Sequence, residues 1–410
     1  MDLATTFQPL FNLRSSQPTT LSSSWFSGLF GATSKNGIPI NTNSALTLSA
    51  FYNGIEIITN DFAKLPKAVF QKQDKNRIKK TDHPVQYLIG TKPNQYMTAI
   101  MFHKTILQHA LLKGNGYAEI IRNNYTSQPS AIQLIDQDKT PVEVVKFNDK
   151  LFYKFNNKVV PADNMLHLPG FSFNGITGIS VITHAAQSLG IALSSQEFGT
   201  EYYVNKGIGM GVVTAAQPMD PDAKIRYGKA MGEALSSNGS SFKVAVADEA
   251  KGFTHLRISP QEAEFLATNK FGIEDVARWL NVPLHKLKST ENINNSITEQ
   301  LEIAHVADSI VPWALKMEAE YKAKLFTSLE LKNGYYVKFN EAALLRADKK
   351  TQSEFWSKLI YAGVYTRNEV RGLLEMNQLD GLDEPLTPVN TQLMEQIELQ
   401  LKLLKNTSNE

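Results

Sequence analysis

The stretch LLRADKKTQSEFWSKLIYAGVYTRNEVRGLLEMNQLDGLDEPLTPVN, Leu344–Asn390, decides how this chain is read. Phe355, Leu359 and Ile360 fall on a helical stripe that ends at Gly363, the residue type that most often follows a helix C-terminus. A second short helix opens at Thr366 and carries Asn368-Glu369-Val370-Arg371. The chain then turns over Leu379-Asp380-Gly381-Leu382-Asp383, and Pro385, Pro388 and Asn390 keep it from resuming a helix. Nothing in this stretch announces chemistry.

Working outward, strand Tyr335–Phe339 comes before it. Ser296–Phe326 reads as one helix with Pro312 inside, where the missing backbone donor predicts a kink. KLKSTENINN, Lys286–Asn295, is polar and turn-rich. Helix Pro260–Leu280, with Ser259 as N-cap, ends at Val282-Pro283. Gly178–Asn205 reads as one long helix, roughly 40 Å at the standard rise. Between these two helices lies an insert of strand Gly211–Ala215, helix Asp220–Ser236 and strands Phe242–Ala247 and Phe253–Ile258.

Nearer the N-terminus, Leu48, Phe51, Tyr52, Ile55, Ile58 and Phe62 follow the spacing of one buried helix face, stopped by Pro66. Strand Lys67–Gln71 and helix Thr98–Lys113 follow, the latter ended by Gly114-Asn115-Gly116. Tyr117–Arg122, Ala131–Asp136, Val142–Val145, Leu151–Phe155 and Met165–Leu168 read as strands. Residues 1–43 form an arm rich in Ser, Thr, Asn, Gly and Pro, with Trp25, Phe26, Leu29 and Phe30 as apolar anchors. Docking of those anchors on protein is favoured over a membrane. At the far end, Leu393, Ile397, Leu401 and Leu404 share a helical stripe that fits a subunit seam or a helix packed on its own domain.

Composition narrows the classes. Hydrophobic residues make up 42% and charged residues 20% of the 410, ordinary for a globular protein. A net charge of +2 lacks the basic excess of a dedicated nucleic-acid binder, though it does not exclude a protein that lets DNA slide past. Seven basic residues and one acid between Lys64 and Lys80 read as a solvated hairpin tip. With no cysteine, disulfides and thiolate metal sites are excluded. The first residues lack a signal-peptide pattern, and no apolar run reaches the ~18 residues of a membrane span. Asn-x-Thr/Ser matches such as those at Asn124 and Asn406 carry no meaning without secretion.

Catalytic patterns are missing. No P-loop, HExxH or G-x-S-x-G pattern occurs, and the alternating Gly207, Gly209 and Gly211 have the wrong spacing for a dinucleotide loop. The eight histidines are scattered and read as structural. Asp136/Asp138 and Asp380/Asp383 are paired carboxylates of the kind that hold magnesium. Their turn-like surroundings favour backbone capping instead.

The Leu344–Asn390 stretch resembles the C-terminal signature of portal proteins from tailed double-stranded-DNA bacteriophages. Further stretches resemble the same family in the same order. They are Ile58, Ala63, Leu65 and Pro66; Gly114-Asn115-Gly116-Tyr117-Ala118-Glu119-Ile120; Met165–His167 and Gly175–Ser180; Phe271, Ile273, Ala277, Trp279 and Val282-Pro283; and Ser296–Gln300 with Pro312. At Gly116 the family more often has alanine. The resemblance spans Ser44 to Asn390.

It implies an α+β, elongated subunit that assembles into a ring, most often of twelve. Its parts would be an arm (1–43), a mixed α/β wing (44–177), stem helices (178–207 and 259–285) around a small α/β clip (208–258), and a tunnel loop (286–295). A kinked spine helix with a wing strand (296–339) and an α-helical crown with C-terminal helix (340–410) complete it. The ring would sit at one capsid vertex of the virion, assembled in the host cytoplasm. It would conduct genome packaging and ejection without catalysis, cofactor or membrane. Lys286, Lys288, Asn292, Asn294 and Asn295 would line the DNA channel. Lys224, Arg226 and Lys229 in the clip would meet the large terminase and later the head–tail adaptor and neck proteins. The major capsid protein and scaffold would be further partners. The competing readings are a metal-dependent nuclease using an Asp pair and a membrane-attached scaffold.

Overall fold

Asn41 caps helix α1, Thr42–Leu46, through a reciprocal box with Ser44. The computed structural model describes residues 19–20, 39–74, 76–204, 210–215, 220–235, 244–248, 252–256, 265–289, 295–344, 349–373 and 376–386. The arm anchors and the C-terminal leucine stripe lie outside these residues, as do Gly207, Gly209, Ser259, Asn292 and Asn294. The chain divides into two compact units, residues 1–344 and 345–410.

In the first unit α2, Ser49–Lys64, buries Phe51, Ile55, Ile58 and Phe62 as the spacing predicts. Tyr52 departs from that stripe and is 53% exposed. One step round from Phe51, it points beside the core rather than into it. Strand β2, Lys67–Gln73, forms a hairpin with β3, Asn76–Lys79. This is the basic stretch, and its tip is solvated. Helix α3, Pro84–Gly90, was not evident from the sequence; the His83 ring accepts from the Val85 amide at its start. Helix α4, Ala99–Leu112, is capped by Thr98 and packs on α2.

Strands β4, Asn115–Arg122, and β5, Pro129–Leu134, pair antiparallel. Next come β6, Glu143–Phe147, β7, Lys150–Phe155, and β8, Lys158–Pro161. They join through two-residue loops, Asn148-Asp149 and Asn156-Asn157, all four residues at positive φ. That is the type I′ geometry that Asn and Asp tolerate, and it explains why a further strand follows where none was expected. Strand β1, Thr19–Thr20, lies on the other edge of β6. Strand β9, Met165–Pro169, completes the β5-β4-β9 sheet.

Gly178–Asn205 is not one helix. It comprises α5, Val181–His184, and α6, Ala186–Val204. The late start has a steric cause. The Gly178 amide donates to Asn115 Oδ1 at 2.7 Å, and a Cβ on Gly178 would lie 2.1 Å from the Gly114 carbonyl oxygen. The residue is thereby fastened against the start of β4 before the helix can begin. Gly116 is equally constrained, since a Cβ there would lie 2.3 Å from the Ile106 carbonyl oxygen on α4. That accounts for glycine where alanine was the expected residue.

The insert has β10, Met210–Ala215, followed by α7, Pro221–Leu235, and β11, Val244–Asp248, parallel to β10; β12, Gly252–Leu256, pairs antiparallel on its other side. Helix α8, Phe265–Leu280, packs along α6, with Val276, Ala277 and Leu280 buried beside Leu189 and Leu193.

The expected kinked helix is three segments: α9, Asn295–Ala304, a π-helical stretch, His305–Ile310, and α10, Val311–Lys324. The Val311 amide reaches back five residues to the Val306 carbonyl. Pro312, which has no amide hydrogen, sits just beyond. Helix α11, Ser328–Lys332, leads to β13, Tyr335–Phe339, which pairs with β2. The main core joins α2, α4, α6, α8, α10 and the β2 and β4 sheets; a smaller one holds Tyr117, Ile135, Val144, Tyr153, Val160 and Met165.

The second unit contains α12, Lys349–Tyr361, and α13, Arg367–Leu373. Gly363 takes a positive φ as expected, and Thr366 and Glu369 cap α13 reciprocally. Buried Asn368 organises the following turn. It donates to the Leu379 carbonyl and to Asp383 Oδ1, and accepts from the Leu379 amide, at 2.8, 2.9 and 3.0 Å.

Candidate functional site

The segment between α8 and α9 was expected to carry the channel residues. It opens with Asn281, whose φ of 54° lets the chain turn off α8 while the Val282 amide closes onto the Ala277 carbonyl. Asn281 Nδ2 then donates to the Asp308 carbonyl at 3.0 Å. In an unbroken α-helix that carbonyl would accept from residue 312, which is proline. The Asn281 side chain thus supplies the donor that Pro312 lacks. Ser309 Oγ closes the joint by donating to the Asn281 carbonyl.

Lys286 pairs with two carboxylates from distant segments, each of which also meets a histidine. Its Nζ lies 2.6 Å from Glu302 Oε2 and 3.7 Å from Asp61 Oδ2. His305 Nε2, fully buried, is 3.2 Å from Asp61 Oδ2, and His285 Nε2 is 3.1 Å from Glu302 Oε1. Burial pushes the Asp61 carboxyl up, but hydrogen bonds from His305 and Lys64 and the charge of Lys286 outweigh it and hold its pKa below the usual carboxylate value. Glu302 follows the same pattern, with burial opposed by Lys286 and His285. Lys286 is therefore an internal ion-pair partner. Lys288 is exposed, with a φ of 57°. Asn295 is the first residue of α9. Sequence spacing could not find this cluster, because His305 and Asp61 are 244 positions apart.

The three residues of the insert lie on α7. Arg226 and Lys229 are exposed, and Lys224 is half-buried. Arg226 Nε donates to the Asp222 carbonyl one turn back.

Three of the four paired aspartates have structural partners. Asp136 Oδ1 accepts from the Asp138 amide at 3.1 Å, Lys113 pairs with Asp138, and Asp383 is held by Asn368. Among the described residues no three His, Cys, Asp or Glu converge as a metal site. Two histidines are core hydrogen-bonding centres. His103 bridges the Ala99 carbonyl, at 2.6 Å, and the Tyr321 hydroxyl, at 2.7 Å. His167 bridges Tyr153 and Asn115, at 2.9 and 2.8 Å.

Residues 49–375 match the family model described as phage portal protein. The chain belongs to that family. A phage portal protein is a structural head–tail connector, not an enzyme. Over 375 residues this portal chain is 28% identical to the probable portal protein of Streptomyces phage phiC31, covering 86% of this chain and 80% of that protein. Its fold is similar to an HK97-family phage portal protein from Corynebacterium diphtheriae, with a TM-score of 0.54, 18% identity, and coverage of 75% of this chain and 98% of that one. A similar fold occurs in the neck of a native gene transfer agent particle computed with C12 symmetry, with a TM-score of 0.54, 14% identity, and coverage of 91% and 100%. No helix among the described residues is long and apolar enough to cross a membrane.

Proposed function

We propose that this portal chain closes into a ring of twelve at one capsid vertex of a virion and conducts the genome during packaging and ejection. The family match over residues 49–375 carries this reading. The fold likeness to a particle neck with twelvefold symmetry supports the copy number. A head-to-tail interface whose rotation closes gives such a ring. Residues 178–207 and 259–285 act as the stem, 208–258 as the clip and 286–295 as the channel loop. Residues 44–177 are the wing, 296–339 the spine helix and wing strand, and 340–410 the crown.

Partners follow from these positions. Double-stranded DNA passes the loop, and the large terminase docks at α7, replaced later by head–tail adaptor and neck proteins. The major capsid protein and scaffold meet the ring at the vertex. Lys288, the exposed lysine of the loop's described part, makes a replaceable phosphate contact, and the loop holds no aromatic residue to stack on bases. Assembly takes place in the host cytoplasm.

Electron microscopy of the purified full chain tests the ring. Particles with a central hole, and a mass of about half a megadalton from subunits of 45.7 kDa, are expected. A chain that stays monomeric at high concentration ends the reading. For the channel, Lys288→Ala should leave the ring intact and change packaging rate or genome retention.

A further inference from the structure

Helix α2 touches the root of the loop, residues 283–289, at two points on one face. Gly54 lies under it. A Cβ on Gly54 would be 2.4 Å from Leu280 Cδ1 and 3.6 Å from Leu287 Cδ2, so Leu280 and buried Leu287 seat directly on bare backbone. Asp61, two turns further along and ~10 Å away on the same face, receives Lys286 and His305. Glu302 holds Lys286 from the α9 side. Asn281 pins the other end of the root to the π-helical stretch. The root is thus gripped by apolar contact at one point of α2 and by charge at another. Lys286 cannot turn to a phosphate without leaving two carboxylates, one of them largely buried and 13% exposed.

We propose that Asp61 is the positioning residue of the loop root. By holding Lys286 and His305 together it makes the direction of the loop follow α2. A shift of the wing helix is then passed to the loop without any contact to DNA by Asp61, and Lys286 serves as a fastener rather than a DNA contact. The functional meaning rests on the channel reading above, but the geometry of the root does not.

Hydrogen exchange on the full-length protein tests it. In Asp61→Asn, amides of residues 284–289 should exchange at least tenfold faster, while those of α4 keep the parental rate. Lys286→Met should give the same local pattern, and Lys286→Arg should restore the parental rate. A role in overall stability alone would speed exchange in α4 as well. Unchanged exchange at 284–289 in a folded Asp61→Asn, or a uniform rise that includes α4, overturns the proposal. If Asp61→Asn fails to fold, Lys286→Met and Lys286→Arg decide it by the same criterion. The channel reading fails separately: Lys288→Ala with parental packaging and retention removes the channel and leaves the exchange result standing.

Discussion

An ammonium group over an aromatic ring in a core has lost water that its partners replace only in part. Lys67 Nζ donates to the Ala63 carbonyl at 3.0 Å and lies 5.5 Å from the Phe339 ring centre. Burial lowers its pKa from 10.5 to about 8. Below pH 8 both folded and unfolded chains carry the proton, and the folded one bears the desolvation cost. Between 8 and 10.5 the folded chain releases the proton first, so stability rises with pH. Lys67→Met should therefore stabilise the protein by ~1 kcal/mol at pH 7, the usual sense when an apolar group of similar size replaces a buried charge. The gain should shrink as pH approaches 10.5, as thermal melts at both pH values will report. His167 works at the acid end. Burial, then the charge of Lys324, lowers its pKa to about 3. As pH falls below 6.5 the unfolded chain takes up a proton that the folded one refuses. The stability His167 contributes is complete above 6.5 and is lost on the way down to about 3. Carbon NMR of the imidazole should show a neutral ring at pH 5, where exposed histidines are charged.

At the scale of elements, the Asn281 joint sets both the end of α8 and the break between α9 and α10. Asn281→Ala should cost ~2 kcal/mol, from left-handed strain on a residue with a Cβ together with the lost bond to Asp308. Asn281→Gly should cost about half as much, because glycine bears no such strain. Denaturant unfolding of the two variants checks the order. Elements like these were partly legible beforehand. Strands Asn115–Arg122 and Lys150–Phe155 and helix Ser49–Lys64 showed through because β-rich composition and a period-3.6 apolar stripe are written in adjacent residues. Pro312 announced a kink, but not that a π turn and an asparagine from another segment would accommodate it. Gly178 looked like a helix start until Gly114 was placed beside it. The turn roles of Asp136 and Asp383 were readable from neighbouring residues. The grip on Lys286 was not, since its partners are set by tertiary packing.

For the whole molecule, the family was legible from motif order. Replacing Lys224, Arg226 and Lys229 together with alanine should leave the ring intact and weaken terminase docking, most in the association rate and most at low salt. Pull-down and stopped-flow binding of the terminase to purified rings check this, and unchanged docking would move the interface away from α7. The pairing of β2 with β13 has a consequence for synthesis. Gln71 bonds to the Asn333 carbonyl across 262 positions of sequence. Strand β13, the neighbour of β2 in the β13-β2-β3 sheet, is therefore added last. At about 5–20 residues per second, a ribosome takes roughly 13–50 s to deliver β13 after β2. For that interval the β2–β3 hairpin waits with one edge open, and completion of this sheet is timed by translation of the residues between β3 and β13.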